Sequence, residues 1–173
     1  MDKIIEFFRK RNMARIMGDS RHILFARNLI CICVEDNNNA DYQGLIYHQY
    51  ADAPVPFDGT ADLLVKMEEL FDEWDFPQRG LAARKFDRKN RDELKRKKVD
   101  HADGRLPIDI IAEKCGVRNV QNKKGRLGTF VVQVVYRQDA SWQGHVILKE
   151  IDEKRDFNSA LELIRIIDGA VSK

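Results

Sequence analysis

Two groups of side chains in this 173-residue chain have the composition of a metal-assisted hydrolytic site. Glu150, Asp152, Glu153 and Lys154 crowd the end of an expected strand, and Asp109, Glu113 and Lys114 lie on the apolar stretch LPIDIIAEKCGV. Carboxylates of this kind hold a hard divalent cation and a lysine steadies developing charge, which is the chemistry of a metal-dependent nuclease. Neither group has diagnostic ligand spacing, and a hairpin passing into a helix is commonly this polar. His101 and Asp103 form a further histidine–carboxylate pair, in a stretch whose Asp103-Gly104 ending reads simply as a turn. Cys31 and Cys33 are two apart in an apolar run, so on a strand both thiols share one face. No second cysteine pair follows at ligand spacing, Cys115 stands alone and the histidines are scattered, so the pair reads as small buried apolar residues. The sequence shows no phosphate-cradling glycine loop, no Ser-His-Asp order and no Cys-His motif. The expectation is a non-catalytic protein with no cofactor and no metal, with the nuclease as the enzymatic alternative.

Charge carries more information than these clusters. The whole chain balances 30 Lys+Arg against 28 Asp+Glu for a net charge of +2. Residues 81 to 126 alone hold 15 basic and 7 acidic residues, a net of +8, which leaves −6 on the rest. A cationic band on an acidic body is the electrostatic footprint of a contact with nucleic acid or an acidic protein surface. The candidate contact residues are Arg88, Lys89, Arg91, Lys95, Arg96, Lys97, Lys98, Lys123, Lys124 and Arg126. Phe86 is the one aromatic among them, so phosphate contact fits better than base stacking. Trp142, beside the polar Gln143, is a candidate interaction anchor. Its alternative is a sheet aromatic covering a helix, as Tyr42 at the matching position favours.

The elements that position these groups come from an internal repeat. ICICVEDNNNADYQG and FDGTADLLVKMEELF align without a gap, at an offset of one hundred, with FVVQVVYRQDASWQG and FNSALELIRIIDGAV. Val34/Val134, Gln43/Gln143, Gly44/Gly144, Asp52/Asp152, Phe57/Phe157 and Leu63/Leu163 are among the identical pairs. Each copy reads as an apolar strand, a polar turn, an aromatic-Gln-Gly strand and a capped helix. The turns are Asp36–Asn39 and Gln138–Ser141. Gly44 and Gly144 mark a bulge or a close backbone approach. The second helix opens with a Ser159-x-x-Glu162 capping box, and Asp58 is the expected cap of the first. Leu63, Leu64, Met67, Leu70, Phe71 and Trp74 form one apolar stripe; Phe157, Ala160, Leu161, Ile164, Ile167 and Val171 form the other.

The expected fold is therefore α+β: two related β-β-α units forming an antiparallel sheet, with helices packed on one side. The units span 22–76 and 127–173 of a single domain covering 1–173, with a basic helical or loop insertion at 81–126. An amphipathic N-terminal helix carries Ile4, Ile5, Phe8 and Ile16 near one face. No apolar run approaches the roughly 18 residues of a membrane span. Three cysteines close no disulfide framework, so the expected compartment is the reducing cytoplasm.

Three resemblances attach to particular residues. YRQDASWQG followed by FNSALELIRIIDGA resembles a block in small uncharacterised bacterial proteins, which implies a bacterial cytoplasmic origin and no stated activity. Asp139-x-Ser141-x-x-Gly144 resembles the hairpin motif of PilZ domains, with Arg84 and Arg88 for their arginine pair. That resemblance implies a cyclic-di-GMP sensor, although PilZ domains are six-stranded barrels and Asp41 replaces the serine in the first copy. IDIIAEKCGV resembles the start of a helix-turn-helix, with Ala112 four residues before Gly116. Asn122 and Lys123-Lys124-Gly125 break the apolar pattern a second helix needs, so a glycine C-cap explains the same residues.

Overall fold

The computed structural model describes residues 22–37, 41–80, 104–138 and 141–172. Six strands form one antiparallel sheet: β1 (Ile30–Asp36), β2 (Gln43–His48), β3 (Val55–Asp58), β4 (Gly128–Gln138), β5 (Ser141–Leu148) and β6 (Glu153–Phe157). Their order across the sheet is β3-β2-β1-β4-β5-β6. Three helices, α1 (Thr60–Glu73), α2 (Pro107–Cys115) and α3 (Ala160–Val171), pack on one face. The fold is α+β, as expected. The N-terminal helix expected in the first residues lies outside the described residues.

β1 and β4 hold the centre because their sequences are apolar on both faces. Ile30, Ile32, Val34, Phe130, Val132 and Val134 meet Leu63, Met67, Phe71, Ile108, Leu163 and Ile167 of the helices. On the reverse face Cys31, Cys33, Val131 and Ile147 are covered by Leu24, Leu29 and Val120. Strands covered on both sides read as near-continuous apolar runs, which is what ICICV and FVVQVV are. Each fully buried large side chain contributes about 1.5–3 kcal/mol relative to exposure.

The pairing of β1 with β4 is symmetric in sequence number. Ile30 faces Val132, Cys31 faces Val131 and Ile32 faces Phe130. Moving each residue by one hundred exchanges the first and third pairs and leaves the second in place. The local twofold thus passes through Cys31 and Val131. The ladder register shifts between Val34 and Asp36 in β1 and between Val134 and Tyr136 in β4. Gly44 faces Val34 and Gly144 faces Val134, so the glycines sit opposite the bulged segments. A β-carbon at Gly44 would lie 2.1 Å from the Cys33 carbonyl oxygen, and one at Gly144 2.0 Å from that of Gln133. Close backbone approach explains both glycines.

Four details depart from the sequence expectations. Each half contains three strands before its helix. β3 and β6 are edge strands, where Pro56 and the charged run EKRD are tolerated because one side of the ladder needs no partner. Second, β4 runs through Gln138 and β5 starts at Ser141, so the two end residues of the expected four-residue turn pair with each other in the ladder. Third, α1 has no cap from Asp58. Asp41, arriving from the β1–β2 connection, accepts from the Thr60 N–H at 2.8 Å and the Thr60 hydroxyl at 2.7 Å. Those bonds hold its carboxyl below the usual range. α3 is capped as expected, with Ser159 Oγ accepting from the Glu162 N–H at 3.0 Å. Fourth, Leu161 is exposed and Leu163 takes the buried place in the α3 stripe.

Candidate functional site

The basic segment is built onto the body at its two ends. It departs beside Glu68 of α1, which gathers donors from three places. Arg137 donates to it at 3.0 Å, Trp142 Nε1 at 2.8 Å, and Arg79 Nε at 3.1 Å. Arg137 also pairs with Asp72 and donates to the Pro77 carbonyl. The Gly80 N–H then donates to the Arg137 carbonyl at 2.6 Å, fixing the last described residue before the segment leaves. Arg88, Lys89, Arg91, Lys95, Arg96, Lys97 and Lys98 lie outside the described residues, as do Arg84, His101, Asp103 and Asp139.

The chain returns at Gly104 and forms α2, which begins on Pro107. Its first-turn N–H groups need no helical partner, so proline fits there. The Ile108 N–H donates to the Trp74 carbonyl, and the Ile108 side chain is fully buried. α2 ends on Gly116, at φ 72°, whose N–H returns to the Ala112 carbonyl. Residues 117–127 then form no helix and cross the reverse face of the sheet as a strap. Arg118 ties one end, pairing with Asp52 while its N–H donates to the Gln49 carbonyl. Gln121 bonds Leu24 through both amide atoms, and Val120 is buried over the sheet. At the other end Gly125 donates to Thr129 Oγ1, and Leu127 to the Val34 carbonyl. The C-terminal half of the basic segment is therefore part of the packed body.

This strap displays three of the candidate cations. Lys123 Nζ stands 4.8 Å above the Tyr47 ring, a cation–π contact. Lys124 is exposed. Arg126 is exposed and reaches toward Asp36 at 3.7 Å. The helical face has the opposite sign: α1 carries Asp62, Glu68, Glu69, Asp72 and Glu73 against Lys66. The strap cations thus lie on the side of the sheet away from the acidic α1, with Glu35, Asp36 and Asp52 beside them. Long cationic side chains on a strap tied to the body can meet phosphate oxygens.

The other candidates are engaged structurally. Asp109 pairs with Arg27 at 2.8 Å, Glu113 with Arg105 at 2.8 Å and Glu153 with Arg155 at 2.6 Å. Asp152, at φ 48° in the turn before β6, accepts from the His22 N–H. Among the described residues no group of three or more His, Cys, Asp or Glu is placed to hold a metal ion. Ser141 donates to the Asn158 carbonyl, and Gly144 is packed in the ladder of an open sheet. Trp142 is 7% exposed, its ring 5.5 Å edge-on from Phe71. It fills the sheet-aromatic role set against the anchor role. Cys31 and Cys33 are buried side by side with sulfurs 3.9 Å apart, while Cys115 is exposed. The shared contact and burial push the Cys31 thiol up, and the same contact favours the Cys33 thiolate.

Sequence reasoning missed the Glu68 hub and a ring cluster of His48, Tyr50 and Trp74 at the C-terminal end of α1. Glu68 sits between the apolar positions of α1, where nothing local distinguishes it from a solvated face. Comparison with models of known families, with curated proteins and with solved structures finds no match for this chain. No described helix is long and apolar enough to cross a membrane.

Proposed function

We propose that this protein is a non-catalytic binding or regulatory module that holds the phosphate backbone of a nucleic acid along its basic segment. The observation that carries the reading is the net +8 on residues 81–126, whose return half is tied across the sheet face opposite the acidic α1. Arg88, Lys89, Arg91, Lys95, Arg96, Lys97 and Lys98 are seven of its fifteen cations, and Lys123, Lys124 and Arg126 extend the charge onto the body. An acidic protein surface is the other partner such charge fits. Protein interfaces draw their energy from buried aromatic and apolar anchors, whereas phosphate contact needs charge alone. Residues 81–103 contain few large apolar side chains, Leu81, Phe86, Leu94 and Val99, which favours the nucleic acid.

The two halves descend, in this reading, from one strand-rich unit with its helix used twice, and the insertion between them gives the pair its charge. The matching register shifts support the common origin. Purification of the protein from its native cells, with and without nuclease treatment, tests the partner class. Co-purifying nucleic acid lost on nuclease treatment is expected; an acidic protein retained after nuclease, with no nucleic acid, overturns the choice.

A further inference from the structure

We propose that the reverse face of the second half carries a stacking site for an unpaired nucleobase, centred on Tyr136. It rests on the nucleic-acid reading above and extends it: the basic segment holds phosphates, and the Tyr136 ring takes the base of a nucleotide outside a duplex. The strand register builds the site. Arg137 and Trp142 turn to α1, so Tyr136 and Gln143, paired beside them, face the other way. Gln133 and His145 are opposite one another further along that face. Tyr136 is 53% exposed, and Gln143 is exposed with it. An open aromatic ring among amides offers a π-face for a base, with donors and acceptors for its edge. His145 Nδ1 lies 2.5 Å from Asp156 Oδ1, which orients the imidazole and leaves Nε2 to a ligand.

The twofold supplies the comparison. Asp36 faces Gln43 in the first half as Tyr136 faces Gln143 in the second. Cys33, Leu45 and Pro56 hold the places of Gln133, His145 and Asp156. Cys33 is fully buried with Gly125 of the strap against it, and Gln43 donates to Asp58 at 2.8 Å. The first half thus keeps the same ladder with a closed surface and a carboxylate, which repels phosphate. An open tyrosine ringed by glutamine and histidine is particular to the second half, and the ladder does not depend on it.

Position joins the ring to the charge. The Gly80 N–H donates to the Arg137 carbonyl at 2.6 Å, and Arg79 bridges to Arg137. The basic segment therefore leaves the body beside the residue that follows Tyr136. On the returning strap, Lys123 and Lys124 stand on the side of the sheet to which Tyr136 points. A single strand held by these cations passes the ring with its bases free to turn onto it. In a duplex the bases are stacked on one another and leave the ring no face to meet. Aromatic stacking accepts every base, so the site distinguishes unpaired from paired nucleotides and not one sequence from another.

The test uses the full chain and two fluorescent probes of one sequence, a blunt duplex and its single strand, with binding followed by anisotropy. Tyr136→Ala is expected to weaken single-strand binding by about tenfold and to leave duplex binding unchanged. Tyr136→Phe, which keeps the ring, is expected to retain the parent's affinity. A photoreactive base in the single strand is expected to crosslink at Tyr136. Urea midpoints equal to the parent's show that the surface variants keep the fold. Single-strand affinity unchanged by Tyr136→Ala, or an equal loss for both probes, overturns the stacking site and leaves the phosphate reading standing. Absence of salt-dependent binding of either probe by the parent protein overturns both.

Discussion

Trp142 Nε1 donates to Glu68 across the sheet's helical face at 2.8 Å, and one hundred residues earlier the Tyr42 hydroxyl donates to Asp168. Each half thus sends an aromatic donor from the start of its second strand to a carboxylate on the other half's helix. The contact is reciprocal, as the twofold through Cys31 and Val131 requires. Its two versions differ in depth. Trp142 is 7% exposed, and Glu68 is further engaged by Arg137 and Arg79, whereas the Tyr42–Asp168 bond is at the surface.

That difference predicts unequal costs. Trp142→Phe strips a donor from a partly buried carboxylate and is expected to lower stability by about 2 kcal/mol. Tyr42→Phe removes a solvent-exposed bond and is expected to cost less than about 1 kcal/mol. Urea unfolding of both variants measures the pair. Equal losses would show that the two latches do not differ as their burial implies.

Arg137 is 3% exposed, lies 5.6 Å from the Phe71 ring centroid and answers both Glu68 and Asp72. Arg137→Ala is expected to cost about 3 kcal/mol, because it opens a cavity and leaves Glu68 short of a donor. Among the described residues its Nε has no partner, so the site already carries part of the desolvation penalty. Arg137→Met, which restores volume without charge, should recover some of the loss. The comparison is read from denaturant midpoints, and an alanine variant as stable as the parent would contradict it.

Gly44→Ala and Gly144→Ala place a β-carbon about 2 Å from a carbonyl oxygen of the facing strand. Backbone cannot yield as a flexible side chain can, so each is expected to destabilise by roughly 3 kcal/mol. Thermal melting of the two variants should show similar drops, since the two sites are related by the twofold. A tolerated alanine at either position would mean that the facing strands are not held in this register.

His48 is expected to give the protein a pH response. Burial, reinforced by the Arg118 charge, holds its imidazole below the ordinary value, and its Nδ1 accepts from the Tyr50 N–H at 3.3 Å. A group whose folded pKa is depressed contributes stability above its unfolded pKa, about 6.5 for histidine, and loses it as pH falls through the folded value. The urea midpoint is therefore expected to decline on going from pH 7.5 to 5.5, and His48→Gln to flatten that decline. An unchanged slope in the variant would assign the response to other groups.

The outline of the fold was legible because both halves repeat one pattern and the apolar runs name the central strands. What stayed hidden was decided by pairing. EKRD in β6 has the composition of a loop and becomes a strand because β5 offers an edge to it. Asp41 caps α1 from nineteen residues before Thr60, a distance at which local capping rules are silent. The cationic residues could be read from composition. That Val120 and Ile108 anchor the end of their segment in the packed body could not, since apolar islands in charged stretches serve many roles.

The central claim is that the basic segment neutralises phosphates, and the salt dependence of binding measures this most directly. The equilibrium constant for duplex nucleic acid, followed by fluorescence anisotropy from about 50 to 200 mM salt, is expected to fall steeply, with a log–log slope of about −0.9 per phosphate contacted. Replacing Lys95, Arg96, Lys97 and Lys98 together by glutamine should make that slope shallower by up to about 3.6 and weaken binding at every salt concentration. Replacing Lys123, Lys124 and Arg126 should act in the same direction. Binding that is insensitive to salt, or unchanged affinity and slope in the first variant, would contradict the account.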